Sequence, residues 1–252
     1  MPTLITSAEL TKKALITIKQ NWLNLVLSLF FIITLILTIL FVLISVYAIL
    51  LYLNVINVNV VFTFRLAWNC LFYLIFLIVS VLAQILIINN LFKPDLNFKE
   101  NYKAVISNFW NFLGLTITID AVFFILNLPF YGAVLLLSLN YPVLAVLSLI
   151  FGLIINIIAA SYLIFSAYIL IDKKLPFWLC FKESYNLAKN SLGRIILKLA
   201  VICIIVLIIT NFLTLLSLQY PLFGTLLAIA IFCAIVLFVF AFIYQLYLAY
   251  KK

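Results

Sequence analysis

Long apolar runs alternate along the chain with short segments whose charged and polar residues recur at helical spacing. Stretches near 23–52, 66–91, 113–139, 143–171, 195–218 and 222–249 each reach the ~20 residues that a helix rising 1.5 Å per residue needs to cross a bilayer. The pattern predicts an all-α integral membrane protein with six transmembrane helices, the longer ones tilted or projecting beyond the bilayer. The first run is too long for a cleaved signal peptide, and no small-residue cleavage site follows it, so it is expected to stay in the mature chain.

A basic amphipathic segment precedes the first, third and fifth runs, at 8–22, 98–112 and 181–194. Phe98, Tyr102, Val105 and Phe109 in the second segment, and Phe181, Tyr185, Ala188 and Leu192 in the third, follow a 4, 3, 4 spacing that places each set on one helical face. In the first, Leu10, Ala14, Leu15, Ile18 and Trp22 form a comparable arc, with Lys12, Lys13 and Lys19 mostly opposite. Pro2, Pro94 and Pro176 precede the three helices, where a residue that ends one element before the next is expected.

These segments are also alike in sequence. Phe98-Lys99-Glu100-Asn101-Tyr102 aligns with Phe181-Lys182-Glu183-Ser184-Tyr185, and the turn Leu136-Leu137-Ser138-Leu139-Asn140-Tyr141-Pro142 with Leu215-Leu216-Ser217-Leu218-Gln219-Tyr220-Pro221. Each Tyr-Pro turn predicts an antiparallel hairpin. The first unit has a longer Val- and Asn-rich loop that runs up to Arg65. One polytopic domain, 1–252, is therefore expected to contain three repeat units, about 1–92, 93–172 and 173–252. Each would be an interfacial amphipathic helix plus a transmembrane hairpin. Two spans per unit make the repeats parallel, related by an axis along the membrane normal. Trp22, Trp110 and Trp178 are expected at headgroup level.

Charge supplies the orientation. Of fifteen Lys and Arg residues, Arg65 alone falls on one side of the six-span arrangement, and the other fourteen fall on the opposite side. Basic residues are retained on the cytoplasmic face, so both termini and both long links are expected in the cytoplasm of a cell (inner) membrane protein. The chain is 69% hydrophobic and 8% charged, with six acidic residues and a net charge of +9. Its lysines serve as topology signals. They also form candidate contacts to anionic lipid headgroups: Lys12, Lys13, Lys19, Lys99, Lys103, Lys182, Lys189, Arg194 and Lys198. Their spread over separate membrane-proximal helices argues against nucleic acid. A membrane-protein partner is compatible with the same surfaces.

The segment Phe181-Lys182-Glu183-Ser184-Tyr185-Asn186-Leu187-Ala188-Lys189, with Arg194 entering the fifth span, resembles the amphipathic pattern of the YciC-like six-span membrane proteins. It is similar, too, to the membrane domain found beside some glycerophosphodiester phosphodiesterases. The resemblance implies an architecture of amphipathic helices before long spans, and no agreed biochemical role. Asn190 stands where those families often have Gly, and no phosphodiesterase domain is attached. Mitochondrial carriers share three units and six spans. Their Pro-x-Asp/Glu-x-x-Lys/Arg signature is absent: Leu96 and Trp178 follow Pro94 and Pro176 at the acidic position.

Polar residues within the runs fall on narrow stripes: Thr34, Thr38, Ser45 and Tyr52; Asn69, Tyr73, Ser80 and Gln84; Thr116, Asp120, Asn127 and Tyr131; Ser148, Gly152, Asn156 and Ser166; Cys203, Thr210, Thr214 and Ser217. Such stripes are packing faces, or else the wall of a shared polar core. Asp120 is the ionisable exception, about 10 Å into the third span, where a charge costs ~2.5–3.5 kcal/mol. Gln84, Asn127 and Asn156 are its candidate companions in an intramembrane polar site. Pro129 should kink the third span, with Asn127 satisfying the freed backbone locally.

Catalytic chemistry finds no support. There is no His, and Cys70, Cys180, Cys203 and Cys233 form no CxxC pair, so imidazole-based metal and haem sites are excluded and no cofactor or metal is expected. Glu9, Glu100 and Glu183 lie on amphipathic segments with no dry site in which to act. The chain reads as a non-enzymatic membrane protein engaging anionic lipid. The alternative is a small-solute or lipid transporter built around Asp120.

Overall fold

The computed structural model describes residues 6–28, 61–94, 98–219 and 221–251, and among them every regular element is a helix. Helix α1 covers 7–28. It is followed by α2 (Val61–Phe92), α3 (Phe98–Leu126), α4 (Leu128–Ser138), α5 (Pro142–Leu163), α6 (Ser166–Lys173), α7 (Phe177–Ala188), α8 (Leu192–Gln219) and α9 (Pro221–Lys251). Five helical stretches are long and apolar enough to cross a membrane: Leu71–Phe92, Lys99–Ser138, Pro142–Lys173, Leu192–Thr214 and Leu227–Lys251. They correspond to the second to sixth predicted runs. Most of the first, with its stripe Thr34, Thr38, Ser45 and Tyr52, lies outside the described residues, as does Pro2. Two compact units divide the chain: Asn21–Phe109, and Met1–Gln20 together with Trp110–Lys252.

Several boundaries depart from expectation. α3 is one helix from Phe98 to Leu126, so the amphipathic segment at 98–112 continues into the span without a break. The third segment is separate, with a turn at 189–191 between α7 and α8; there the Ser191 carbonyl accepts the N–H groups of Arg194 and Ile195. Arg65 lies inside α2 and not at the end of a loop. The fourth predicted span also divides, at Ile164–Phe165. The Ser184 hydroxyl, from α7, donates to the Tyr162 carbonyl that an unbroken helix would offer to residue 166.

The predicted kink at Pro129 is present as a one-residue interruption at Asn127, between α3 and α4. Proline contributes no N–H, and the Phe130 N–H bonds the Asn127 carbonyl (2.9 Å) in a tightened turn. At the following turn the Tyr141 N–H reaches the Leu136 carbonyl and the Asn140 N–H the Leu137 carbonyl, while Asn140 adopts φ 63°. This is a Schellman ending, with Pro142 opening α5 immediately after it. α4 and α5 accordingly form the expected hairpin. Gly152 makes the close approach possible: a Cβ there would lie 2.9 Å from the Phe130 ring.

In the amphipathic segments Leu10, Ala14, Thr17 and Asn21, then Asn101, Val105 and Phe112, then Ser184 and Ala188 are buried, while Leu15, Trp22, Tyr102 and Tyr185 of the predicted arcs are exposed.

Candidate functional site

Of the predicted intramembrane polar residues, Asn127 forms the break between α3 and α4, and Asn156 reaches the carbonyl just before it. The Asn127 side chain makes no cap bond there, contrary to the expected local repair. Repair comes instead from α5: Asn156 Nδ2 donates to the Leu126 carbonyl (3.2 Å) and to the Gly152 carbonyl (2.8 Å). The Ser148 hydroxyl donates to the Pro129 carbonyl (2.7 Å). A carbonyl whose helical partner has been diverted is costly when buried away from water, and two α5 side chains supply donors at this break. The Ser148–Gly152–Asn156 stripe is therefore a packing face against α4. Asp120 stands on the exposed surface of α3, two turns before this cluster. In the other unit Gln84 donates to Ser80, one turn away (3.2 Å).

Eight of the nine basic candidates, Lys12, Lys13, Lys19, Lys99, Lys103, Lys182, Lys189 and Arg194, are exposed. Lys13 pairs with Glu9 at 3.3 Å. Lys198 differs from expectation: it is half-buried with its ammonium 5.4 Å from the centre of the Tyr250 ring. Exposed apolar and aromatic side chains flank these cations. On α1, Ala8, Thr11, Lys12, Leu15, Ile16 and Lys19 line an open groove of about 430 Å³. On α3, Tyr102, Ile106 and Trp110 share the exposed side of the helix with Lys99 and Lys103. On α7, Trp178 and Tyr185 are exposed together with Lys182.

Sequence reasoning missed two polar clusters. In the unit Asn21–Phe109, the buried residues Asn89, Asn90, Asn101 and Ser28 form a chain of bonds. Asn89 donates to Asn101, Asn101 to Asn90, and Asn90 to both the Ser28 hydroxyl (2.8 Å) and the Asn24 carbonyl (3.3 Å). Asn24 in turn donates to the Pro94 carbonyl (2.8 Å). The signal lay in two consecutive asparagines closing an apolar run, and in Asn101 aligning with Ser184. The second cluster lies in the larger unit: the Tyr247 hydroxyl donates to Asp172 (2.6 Å), Lys251 pairs with the same oxygen, and Lys173 pairs with Glu183 (3.0 Å). Between them, the Tyr168 hydroxyl donates to the Phe240 carbonyl (2.9 Å).

On α7, burial pushes the Cys180 thiol up to about 11. Among the described residues, no three His, Cys, Asp or Glu side chains gather as metal ligands would. The chain thus belongs, by fold, with helical proteins whose apolar segments suit a membrane. Comparison with known protein families, curated proteins and solved structures finds no match.

Proposed function

We propose that this chain is a six-span, non-enzymatic protein of the cell (inner) membrane, with cytoplasmic termini and three parallel repeats, that engages anionic lipid through its basic segments. The observation that carries this reading is the recurrence on α1, α3 and α7 of one surface: exposed lysines beside exposed Trp, Tyr, Leu or Ile. A helix of this kind rests its apolar stripe at the acyl boundary and its cations among the headgroups, each worth about 1 kcal/mol near an anionic surface. The sequence likeness of residues 98–102 to 181–185, and of the turn at 136–142 to that at 215–221, supports the repeat. The likeness to YciC-like proteins agrees with it.

Native mass spectrometry from nanodiscs containing equal phosphatidylglycerol and phosphatidylcholine tests the proposal. Retained lipid should be mainly phosphatidylglycerol, and Lys→Gln at Lys12 and Lys19, Lys99 and Lys103, or Lys182 and Lys189 should each reduce it. Equal retention of both lipids would overturn the lipid reading. Transport around Asp120, the alternative, needs the carboxylate to face a bundle interior.

A further inference from the structure

α6 and the last turns of α9 meet through an aromatic and ionic seam within the larger unit. The turns at 136–142 and 215–221 align at an offset of seventy-nine residues. Carried forward, that offset takes Phe165 to Tyr244, Tyr168 to Tyr247 and Asp172 to Lys251. Two of these three counterpart pairs are in direct contact. Tyr168 stacks on its own counterpart Tyr247, with ring centres 6.1 Å apart and planes at 26°. Asp172 pairs with its own counterpart Lys251. One diagonal pair is reciprocal: Phe165 meets Tyr247 at 6.1 Å, and Tyr168 meets Tyr244 at 6.4 Å, while Phe165 also meets Tyr250 at 6.2 Å.

A contact in which residue i meets j while the equivalent of i meets the equivalent of j is isologous, the mark of a two-fold relation. The 3, 4 spacing of 165, 168, 172 and of 244, 247, 251 places each set on one face of its helix. An arbitrary crossing of unrelated helices has no reason to bring equivalent positions together in successive layers. We infer that α6 and the end of α9 are two copies of one duplicated helix end, paired like against like. Asp172 and Lys251 are the diverged pair that confines this pairing to a single chain.

The charge argument is direct. In an isologous contact an unchanged ionic residue meets itself and is repelled; divergence to opposite signs turns that layer into an attraction. Pairing the same helix end with its copy in another chain would set Asp172 against Asp172, or Lys251 against Lys251, and would be disfavoured. Asp172 is shielded, its side chain 18% exposed, so the pair is less screened than an open surface pair. Divergence shows in the hydroxyls as well: Tyr247 donates to Asp172, whereas Tyr168 donates to the Phe240 carbonyl.

The test uses the full chain in detergent. Asp172→Lys and Lys251→Asp should each lower the thermal midpoint by about 5 °C, and the two together should restore it to within about 2 °C. Exchanging the aromatic layer, Phe165→Tyr with Tyr244→Phe, should be tolerated equally well, which a simple salt bridge would not require. Should the single reversals fail to fold, Asp172→Cys with Lys251→Cys, in a chain with its four native cysteines replaced by serine, decides the matter through a short bifunctional thiol reagent. The expected product is joined within one chain. A product joined between chains, no joined product, a double exchange as unstable as either reversal, or loss of stability on exchanging residues 165 and 244 would each overturn the inference.

Discussion

Gly152 shows how little room separates α4 from α5. A Cβ at that position would lie 2.9 Å from the Phe130 ring, so Gly152→Ala should force the ring or the helices to shift and destabilise the protein by about 1–3 kcal/mol. Thermal unfolding followed by intrinsic fluorescence checks this. Lys174 is the opposite case. It ends α6 at φ 52°, a conformation that costs an L-residue with a Cβ roughly 1–2 kcal/mol. Lys174→Gly is therefore expected to raise the thermal midpoint, and Lys174→Asn offers a check with a polar side chain. Cys180 is buried and its thiol is held near 11, above the ordinary range. The thiolate is the reactive form, so Cys180 should resist a water-soluble maleimide at pH 7.5 in the folded chain. It should react on denaturation, as read by mass shift.

At the scale of elements, the breaks decide the design. The end of α3 is legible in the sequence because Pro129 cannot donate a hydrogen bond. The partner that repairs it is not, because Asn156 is thirty residues beyond Leu126 and reaches it only once α5 folds back. Asn156→Leu keeps the volume and removes the donor; it should cost about 1–3 kcal/mol, the penalty for leaving a buried carbonyl unpaired. Urea or heat denaturation in detergent measures it. The break at Ile164–Phe165 was not legible at all, since no proline or glycine marks it and the Ser184 hydroxyl that takes the Tyr162 carbonyl belongs to another helix. A similar reason hid the asparagine cluster. Asn89, Asn90 and Asn101 look like polar residues at helix ends until their side chains are seen to close on Ser28. Asn101→Leu should destabilise the unit Asn21–Phe109 more than Tyr102→Leu, because the former strands two buried amides. Hydrogen exchange at the end of α2 would report the difference.

For the whole molecule, the helical class and five of the six predicted spans were legible, because length and apolarity alone decide whether a helix can cross a bilayer. Periodicity placed the amphipathic helices and left open which apolar side packs inward, for a physical reason. A helix at a membrane surface has two apolar sides, one for protein and one for lipid, and the hydrophobic pattern cannot rank them. Burial separates them: Val105 and Ala188 turn inward while Tyr102, Trp110, Trp178 and Tyr185 stay outside. The candidate site was legible only in its cations. Asp172, which holds both Tyr247 and Lys251, drew no attention beside Asp120 because these partners lie at the far end of the chain. The unbroken run of α3 carries one more implication. Trp110 and the break after Leu126 sit on one rigid rod, seventeen residues or about 25 Å from Trp110 to Asn127. If headgroups hold Trp110, this rod is a fixed caliper against a hydrocarbon layer ~30 Å thick. A thinner bilayer must then be accommodated at Asn127, where the helix is already interrupted and two donors from α5 stand ready to follow it.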